Sequence, residues 1–474
     1  MIFRNFIPVL IYFLVYLFSF FPEEYYDSLV IVLLCTSLLS ILDKLGRGVV
    51  LRESIAFMYV FNCLAMPLLG YRVYNYDYFW ARLLKKYMPV SEKVYFDFTI
   101  PAVTLFCLAL TFPFYKSQFI DQSIKFKEIL EKCKRILSKD KFIGMFIIVA
   151  GLSSFMVSKL LPSSLSYLSI ILYFSSFAGL LYVHFAPDFK NKRIIILAFI
   201  LFLVLNSIVV GMFTVVAYMG VTIFSYFFLG KNIHLIKKVL VLLTAVFLLL
   251  ILQNTKITYR DMVWYNSYQG DKTALFSRLF VENFQKGDAL FEKKAFFPIH
   301  TRVNQGYNIA LVMRRIPSAK PFDNGKAITT SIVSSFVPRL FWPDKPVAGG
   351  KFNMEYYTGR KIITWSTNIG PLGEAYGSFG VTGGIIYMFF LGLFIRWVYG
   401  RIFKISAKIP LIILWIPVLF YQVTYSAETD TLQIVNSILK TAFFMWILYK
   451  IFPRWFGMKK ESQKPMVQLM TRPA

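Results

Sequence analysis

The sequence predicts an all-α polytopic membrane protein, and three observations predict it. Of its 474 residues, 57% are hydrophobic types and only 16% are charged. Soluble domains carry roughly a quarter charged residues, so this chain is too apolar to cover a soluble surface. Apolar runs recur at the length a bilayer-crossing helix needs, about 17–25 residues. The short segments between those runs alternate between basic and acidic or neutral. The 50 Phe and 29 Tyr add aromatic bulk suited to lipid contact and interfacial belts.

In chain order, spans are expected near 2–21, 28–43, 54–70, 97–115, 142–160, 167–186, 194–210, 212–229, 239–254, 378–398, 409–425 and 432–450. The apolar stretch from Ile194 to Leu229 is too long for one crossing at about 1.5 Å per residue. Basic residues flank it on both sides, so two crossings with a turn near Asn206–Gly211 are expected. That makes about twelve helices. Net charge is +27, which in a soluble chain would suggest nucleic acid; here the positive-inside rule accounts for the basic segments first, and no nucleic-acid partner is expected. Lys44, Arg47 and Arg52, the run Lys116–Lys141, then Arg401, Lys404 and Lys408, and the tail from Lys450 all read as cytoplasmic. Pro22–Asp27 and Ser426–Asp430 read as short outer turns. Both termini are then cytoplasmic, and the first span, which lacks a small-residue cleavage site, reads as a retained anchor.

The expected organisation is nine helices over 1–254, a large extracytoplasmic loop over 255–377, three helices over 378–450, and a basic cytoplasmic tail over 451–474. Residues 71–96 form a smaller outer loop. Cys35, Cys63 and Cys107 lie in apolar runs and Cys133 in a basic segment, so none marks a redox or zinc site. Inside the membrane, Lys440 reads either as a functional group sharing a cavity with Asn436 or as a snorkelling side chain.

Chemistry is expected in the long loop. From Lys256 to Glu374 it holds 17 Lys and Arg against nine acids. That surplus reads either as solvated surface or as a site for an anion, and Arg suits phosphate oxygens through its bidentate fork. Lys256 and Arg260 stand four apart, on one helical face at the membrane surface; snorkelling is the competing reading. His300–Gly306 offers an imidazole, Arg302 and two side-chain amides within seven residues. His300 alone is more often a structural polar residue than a base. Arg314 and Arg315 end an amphipathic helix through Ile309, Val312, Met313 and Ile316 that stops at Pro317. Val337–Pro346 packs three prolines with Arg339, Trp342 and Lys345, a stiff basic loop able to aim charge; Trp342 reads as an interfacial anchor. Gly370–Gly380 carries Glu374 and Tyr376 among closely spaced glycines that permit near backbone approach. Glu374 reads either as a general base on a hydroxyl or as the partner of an arginine.

Together, Lys256–Arg260, His300–Pro346 and Gly370–Gly384 resemble the Wzy-type oligosaccharide repeat-unit polymerases that build O-antigen, capsule or exopolysaccharide in bacterial envelopes. Arg314 and Gly325 match an arginine–ten residues–glycine spacing of that family, and one outer histidine, His300, argues against the related ligases. The resemblance implies a membrane glycosyltransferase of GT-C-like architecture in the cytoplasmic membrane. Its substrates would be undecaprenyl-diphosphate-linked oligosaccharides, with a flippase and a chain-length regulator as partners. It implies transfer from an already activated bond, without cofactor or metal. Glu374, Arg302 and Arg339 would be catalytic; Lys256, Arg260, His300, Arg314, Arg315, Lys345 and Tyr376 would bind substrate. The competing class is a transporter of lipid-linked oligosaccharide, which twelve spans and Lys440 also suit.

Overall fold

The computed structural model describes residues 2–20, 23–114, 124–157, 163–210, 220–231, 233–265, 268–287, 292–337, 341–346, 349–362 and 367–458. The first part of the chain folds into α1 (Ile2–Phe18), α2 (Tyr26–Lys44), α3 (Leu51–Val60), α4 (Met66–Arg72), α5 (Phe79–Leu83), α6 (Glu92–Thr111), α7 (Ile124–Lys139), α8 (Ile143–Val157), α9 (Ser163–Phe185), α10 (Lys192–Val210), α11 (Gly220–Phe227) and α12 (Leu235–Arg260). The expected long loop contributes α13 (Lys272–Gln285), α14 (Lys293–Val303), α15 (Gly306–Arg315), α16 (Lys326–Phe336) and α17 (Gly350–Asn353). The chain closes with α18 (Gly370–Ser406), α19 (Ile416–Leu419) and α20 (Thr431–Ile451). There is no strand among the described residues.

This is an all-helical membrane protein. Among the described residues, seven helical stretches are long and apolar enough to cross a bilayer: Glu23–Lys44, Leu51–Arg72, Glu92–Thr111, Leu168–Phe185, Gly370–Ser406, Pro410–Glu428 and Thr431–Ile451. Lys127–Lys139 and Ile143–Val157 make an eighth if they count as one span bent by 84°.

The limits of the apolar runs shift for identifiable reasons. α6 starts five residues before its run because the Ser91 hydroxyl caps it, accepting from the Val94 amide at 3.4 Å. α12 overruns residue 254 to Arg260, and the run over 378–398 sits within the 37-residue α18. The run over 409–425 is not one regular helix. Pro410 and Pro417 remove amide donors there, and 3-10 turns Pro410–Trp415 and Val423–Glu428 flank the short α19. No turn falls at Asn206–Val210, where one was expected: α10 stays helical through Val210, and 211–219 lie outside the described residues.

α6 and α18 pair along the centre of the bundle. Phe98, Ile100, Val103 and Phe106 of α6 are fully buried. Gly392 lets α18 approach, since a Cβ there would lie 2.7 Å from the Phe106 carbonyl oxygen. α8 and α9 meet in the same way, through Gly144 and Gly179, and the Ser154 and Ser169 hydroxyls lie 2.8 Å apart between them. Close backbone approach and interhelical hydrogen bonds are what hold apolar helices together in lipid.

Four interruptions of the helices bear on the candidate site. α3 and α4 are one helix with a π-helical turn, Phe61–Ala65, between them. Similar turns follow α12 at Asp261–Tyr265 and α17 at Met354–Thr358. α18 is broken at Gly380, whose φ of 68° and ψ of −157° lie in a region open to glycine. The Phe322 ring packs against that break, 3.3 Å from where a Cβ would stand.

The segment expected as a loop is mostly helical and packed. α13 lies against the end of α12 through Tyr259, Leu275, Phe276 and Leu279. α14 rests on α12 and α4, and α15 on α4, α6 and α18.

Candidate functional site

The segment from Val423 to Thr431 joins two groups of polar side chains that the sequence scatters over 370 positions. One group is buried. Glu374, 2% exposed on the first turns of α18, accepts from Asn353 Nδ2 at 2.9 Å on Oε1. Its Oε2 accepts from the Thr431 amide at 2.8 Å and the Thr431 hydroxyl at 2.6 Å. Thr431 Oγ1 in turn meets Tyr387 Oη at 2.5 Å. Asp430, 1% exposed, caps α20 by accepting from the Gln433 amide. It also accepts from Asn368 Nδ2 at 2.8 Å and the Gly349 amide at 3.1 Å. The Asn368 carbonyl accepts from Gln305 Nε2 at 2.6 Å and Asn308 Nδ2 at 3.0 Å, tying α15 to the start of α18.

Gly370 makes this closure possible. Its φ is +73°, and a Cβ would stand 2.5 Å from the Ala427 carbonyl oxygen.

The second group is cationic and reaches the surface. Arg302 Nη1 donates to Glu428 Oε2 at 3.0 Å, with the Arg302 side chain 48% exposed and Glu428 12%. Asn62, on the π turn between α3 and α4, donates to Glu428 Oε1 at 3.3 Å. Lys256, 9% exposed, lies in the same field. Burial first, then the neighbouring Arg260 and Arg302 charges, push its ammonium down to about 8, with Glu428 pulling the other way. α12 carries Lys256 and Arg260 on one face, and α14 brings Arg302 to them. Two arginines and one carboxylate thus gather around Lys256. Such a cluster binds anionic oxygens and stabilises negative charge as it develops.

Of the residues expected at a site, Lys256, Arg260 and Arg302 are brought together. Glu374 is a neighbour through Thr431 and the 423–431 segment. It has neither an arginine partner nor an open face; its carboxyl is enclosed by donors. His300 is a core residue, 1% exposed, packed at a tilt against Tyr74 with ring centroids 4.6 Å apart and joined to Asn304 at 3.2 Å. Burial pushes its imidazole down to about 4, so it stays neutral at physiological pH. Tyr376 is buried between Phe98 and Phe322. Lys345 donates to the Ser334 and Val337 carbonyls at 2.9 and 2.7 Å, closing the end of α16. Arg314 is exposed, and Arg315 donates to the Glu355 carbonyl at 3.4 Å. Arg339 lies outside the described residues. Lys440 is exposed on α20.

Sequence reasoning missed Asn62, Asn353, Asn368, Glu428 and Asp430. It also missed a second basic patch, where Tyr307 Oη accepts from Arg360 at 2.9 Å and Lys86 Nζ sits 4.7 Å from the Tyr307 ring centroid. The only sequence signal for the acids was Ser426–Thr431 itself, two carboxylates in a short polar stretch between apolar runs.

No curated protein and no solved structure matches the chain. A family model does match, over residues 117–456, which takes in α7 to α20 and both polar groups except Asn62. The chain belongs to that family, described as a domain of unknown function (DUF8712).

Proposed function

We propose that this protein is a polymerase of the Wzy type, joining undecaprenyl-diphosphate-linked oligosaccharide repeat units by glycosyl transfer. The observation that carries the reading is the gathering of Arg260, Arg302 and Glu428 around Lys256, with Arg302 paired to Glu428, at the edge of a packed polar network. A diphosphate leaving group needs such a cluster. The acceptor hydroxyl oxygen attacks the anomeric carbon, the bond from that carbon to the diphosphate oxygen breaks, and its electron pair departs on the diphosphate. The cations stabilise that charge, and preorganised donors of this kind are worth roughly 10²–10³ in rate. Glu428, the carboxylate inside the cluster, takes the hydroxyl proton. Glu374 positions the segment that carries Glu428.

In this reading residues 255–377 lie on the outer face of the bacterial cytoplasmic membrane, and both termini are cytoplasmic. The twelve apolar runs all cross, giving a GT-C-like membrane glycosyltransferase. The cluster then faces the leaflet where lipid-linked units arrive from a flippase and where a chain-length regulator acts on the product, O-antigen, capsule or exopolysaccharide.

The test is polymer formation from lipid-linked repeat units by the purified protein. Arg260→Ala and Arg302→Ala should each reduce chain formation by about 10²-fold or more, with Arg302→Lys recovering part of the loss. Glu428→Gln should lower the rate and flatten its dependence on pH. Full-length ladders from both arginine variants would refute the assignment.

A further inference from the structure

A cavity of about 370 Å³ lies between α1, α2, the start of α3 and the end of α6. It is separate from the Glu428 cluster: Glu53 and Asn62 stand nine residues apart on the α3–α4 helix, about 14 Å at 1.5 Å per residue. Most of its wall is apolar, and it opens sideways. Ile7, Val32 and Leu39 line it and are 52%, 42% and 57% exposed on the outside of the bundle, where hydrocarbon chains would lie.

One end of the cavity is charged. Arg52 and Glu53 line it, 5% and 7% exposed. Arg52 Nη1 donates to the Leu110 and Phe112 carbonyls at 3.3 and 3.2 Å. Lys44 Nζ pairs with Glu53 Oε1 at 3.0 Å. Arg52 Nε and Glu53 Oε2 are buried without a hydrogen-bond partner. A guanidinium N–H and a carboxylate oxygen left unmet in an apolar wall are costly. A ligand that answers both offers an acceptor and a charged donor a few bonds apart, at the head of an apolar chain.

We propose that this cavity binds a zwitterionic glycerophospholipid whose head carries a phosphate and a primary ammonium. The phosphate accepts from Arg52 Nε–H, the ammonium donates to Glu53 Oε2, and an acyl chain lies against Ile7, Val32 and Leu39. Charge complementarity selects this class. A phosphate-only head group satisfies Arg52 and leaves Glu53 Oε2 without a donor, whereas a zwitterion satisfies both.

Native mass spectrometry of the purified full chain, supplied with equal amounts of dioleoyl-phosphatidylethanolamine and dioleoyl-phosphatidylglycerol, tests this. The wild type should retain one ethanolamine lipid, favoured at least tenfold over the glycerol lipid. Glu53→Gln should abolish that preference. Cys35 lines the cavity and is the exposed cysteine, with Cys63, Cys107 and Cys133 buried. Labelling it with a benzyl maleimide should therefore cut retention tenfold in the otherwise unaltered protein. Glycerophosphoethanolamine at tenfold excess should displace nothing, since it lacks the apolar chain. Equal retention of the two lipids, preference for the glycerol lipid, displacement by the soluble head group, or retention unchanged by the Cys35 label would each overturn the proposal.

Discussion

Replacing Glu374 by alanine separates a positioning carboxyl from a catalytic one. In the fold, three donors converge on it: Asn353 Nδ2, the Thr431 amide and the Thr431 hydroxyl, at 2.6–2.9 Å. The side chain is 2% exposed, so water does not replace it. A buried donor left unmet costs about 1–3 kcal/mol, and three of them sum to roughly 5 kcal/mol. That is a large share of the 5–15 kcal/mol that typically holds a domain folded. Glu374→Ala should therefore lower the thermal midpoint of the purified protein sharply or prevent its accumulation. Asn353→Ala removes a single donor and leaves one carboxyl oxygen unmet, so about 1–3 kcal/mol is expected. Thr431→Val should fall in the same range, because the amide bond to Glu374 survives. The measurement is unfolding followed by reactivity of the buried cysteines in detergent, alongside polymer formation. A Glu374→Ala protein with a wild-type midpoint and no activity would refute the reasoning and return Glu374 to the role of general base.

Two further outcomes follow from the site electrostatics. His300 titrates near 6.5 when unfolded and is pushed down to about 4 in the fold. The unfolded chain thus binds the extra proton between those values. Stability from this group is fully present above pH 6.5 and is lost as pH falls toward 4, on the order of 3 kcal/mol across the window. His300→Phe should flatten the melting midpoint between pH 7 and pH 5, and an unchanged slope would count against a buried neutral imidazole. Lys256, held at about 8 by burial and its cationic neighbours, should regain its proton when an anion fills the cluster. Pyrophosphate binding at pH 8 should then take up about half a proton per site, read by calorimetry in buffers of different ionisation heat, and Lys256→Met should abolish the uptake.

Much of the fold is readable from the chain because a bilayer makes hydrophobic length decisive. Runs such as 28–43 and 432–450 became α2 and α20 within two residues at either end. The helix through Ile309 and Val312 was readable from its 3.6-residue period, and it ends before Pro317. The run over 409–425 misled because hydropathy does not register the loss of two proline amides. At the site, Lys256 and Arg260 were legible because a single helix turn relates them. Arg302 joins them through the packing of α14 on α12, which no local pattern encodes. The same holds for Glu428 and Asp430. As sequence they are two acids in a short turn; as structure they are where Asn62, Arg302 and Asn368 meet, partners 62 to 366 positions away. His300 misled in the other direction, since an imidazole beside an arginine looks reactive until its packing against Tyr74 is known.

The π-helical turn at Phe61–Ala65 carries one residue more than an α-helical path would use. That surplus turns everything beyond it by about 100° relative to what precedes it, and the same rod presents Glu53 to the cavity beside α1 and α2 and Asn62 to Glu428. Excising a single position there would leave a smoother, longer rod. It would also swing Arg72 away from Asp27 and Glu92, to which it is bonded at 2.7 and 2.7 Å, and retract Asn62 from Glu428. The insertion thus works as a phase shifter, decoupling the facings of a cavity and a charged cluster that share one backbone, and a one-residue deletion would damage the protein more than many substitutions on either side of it.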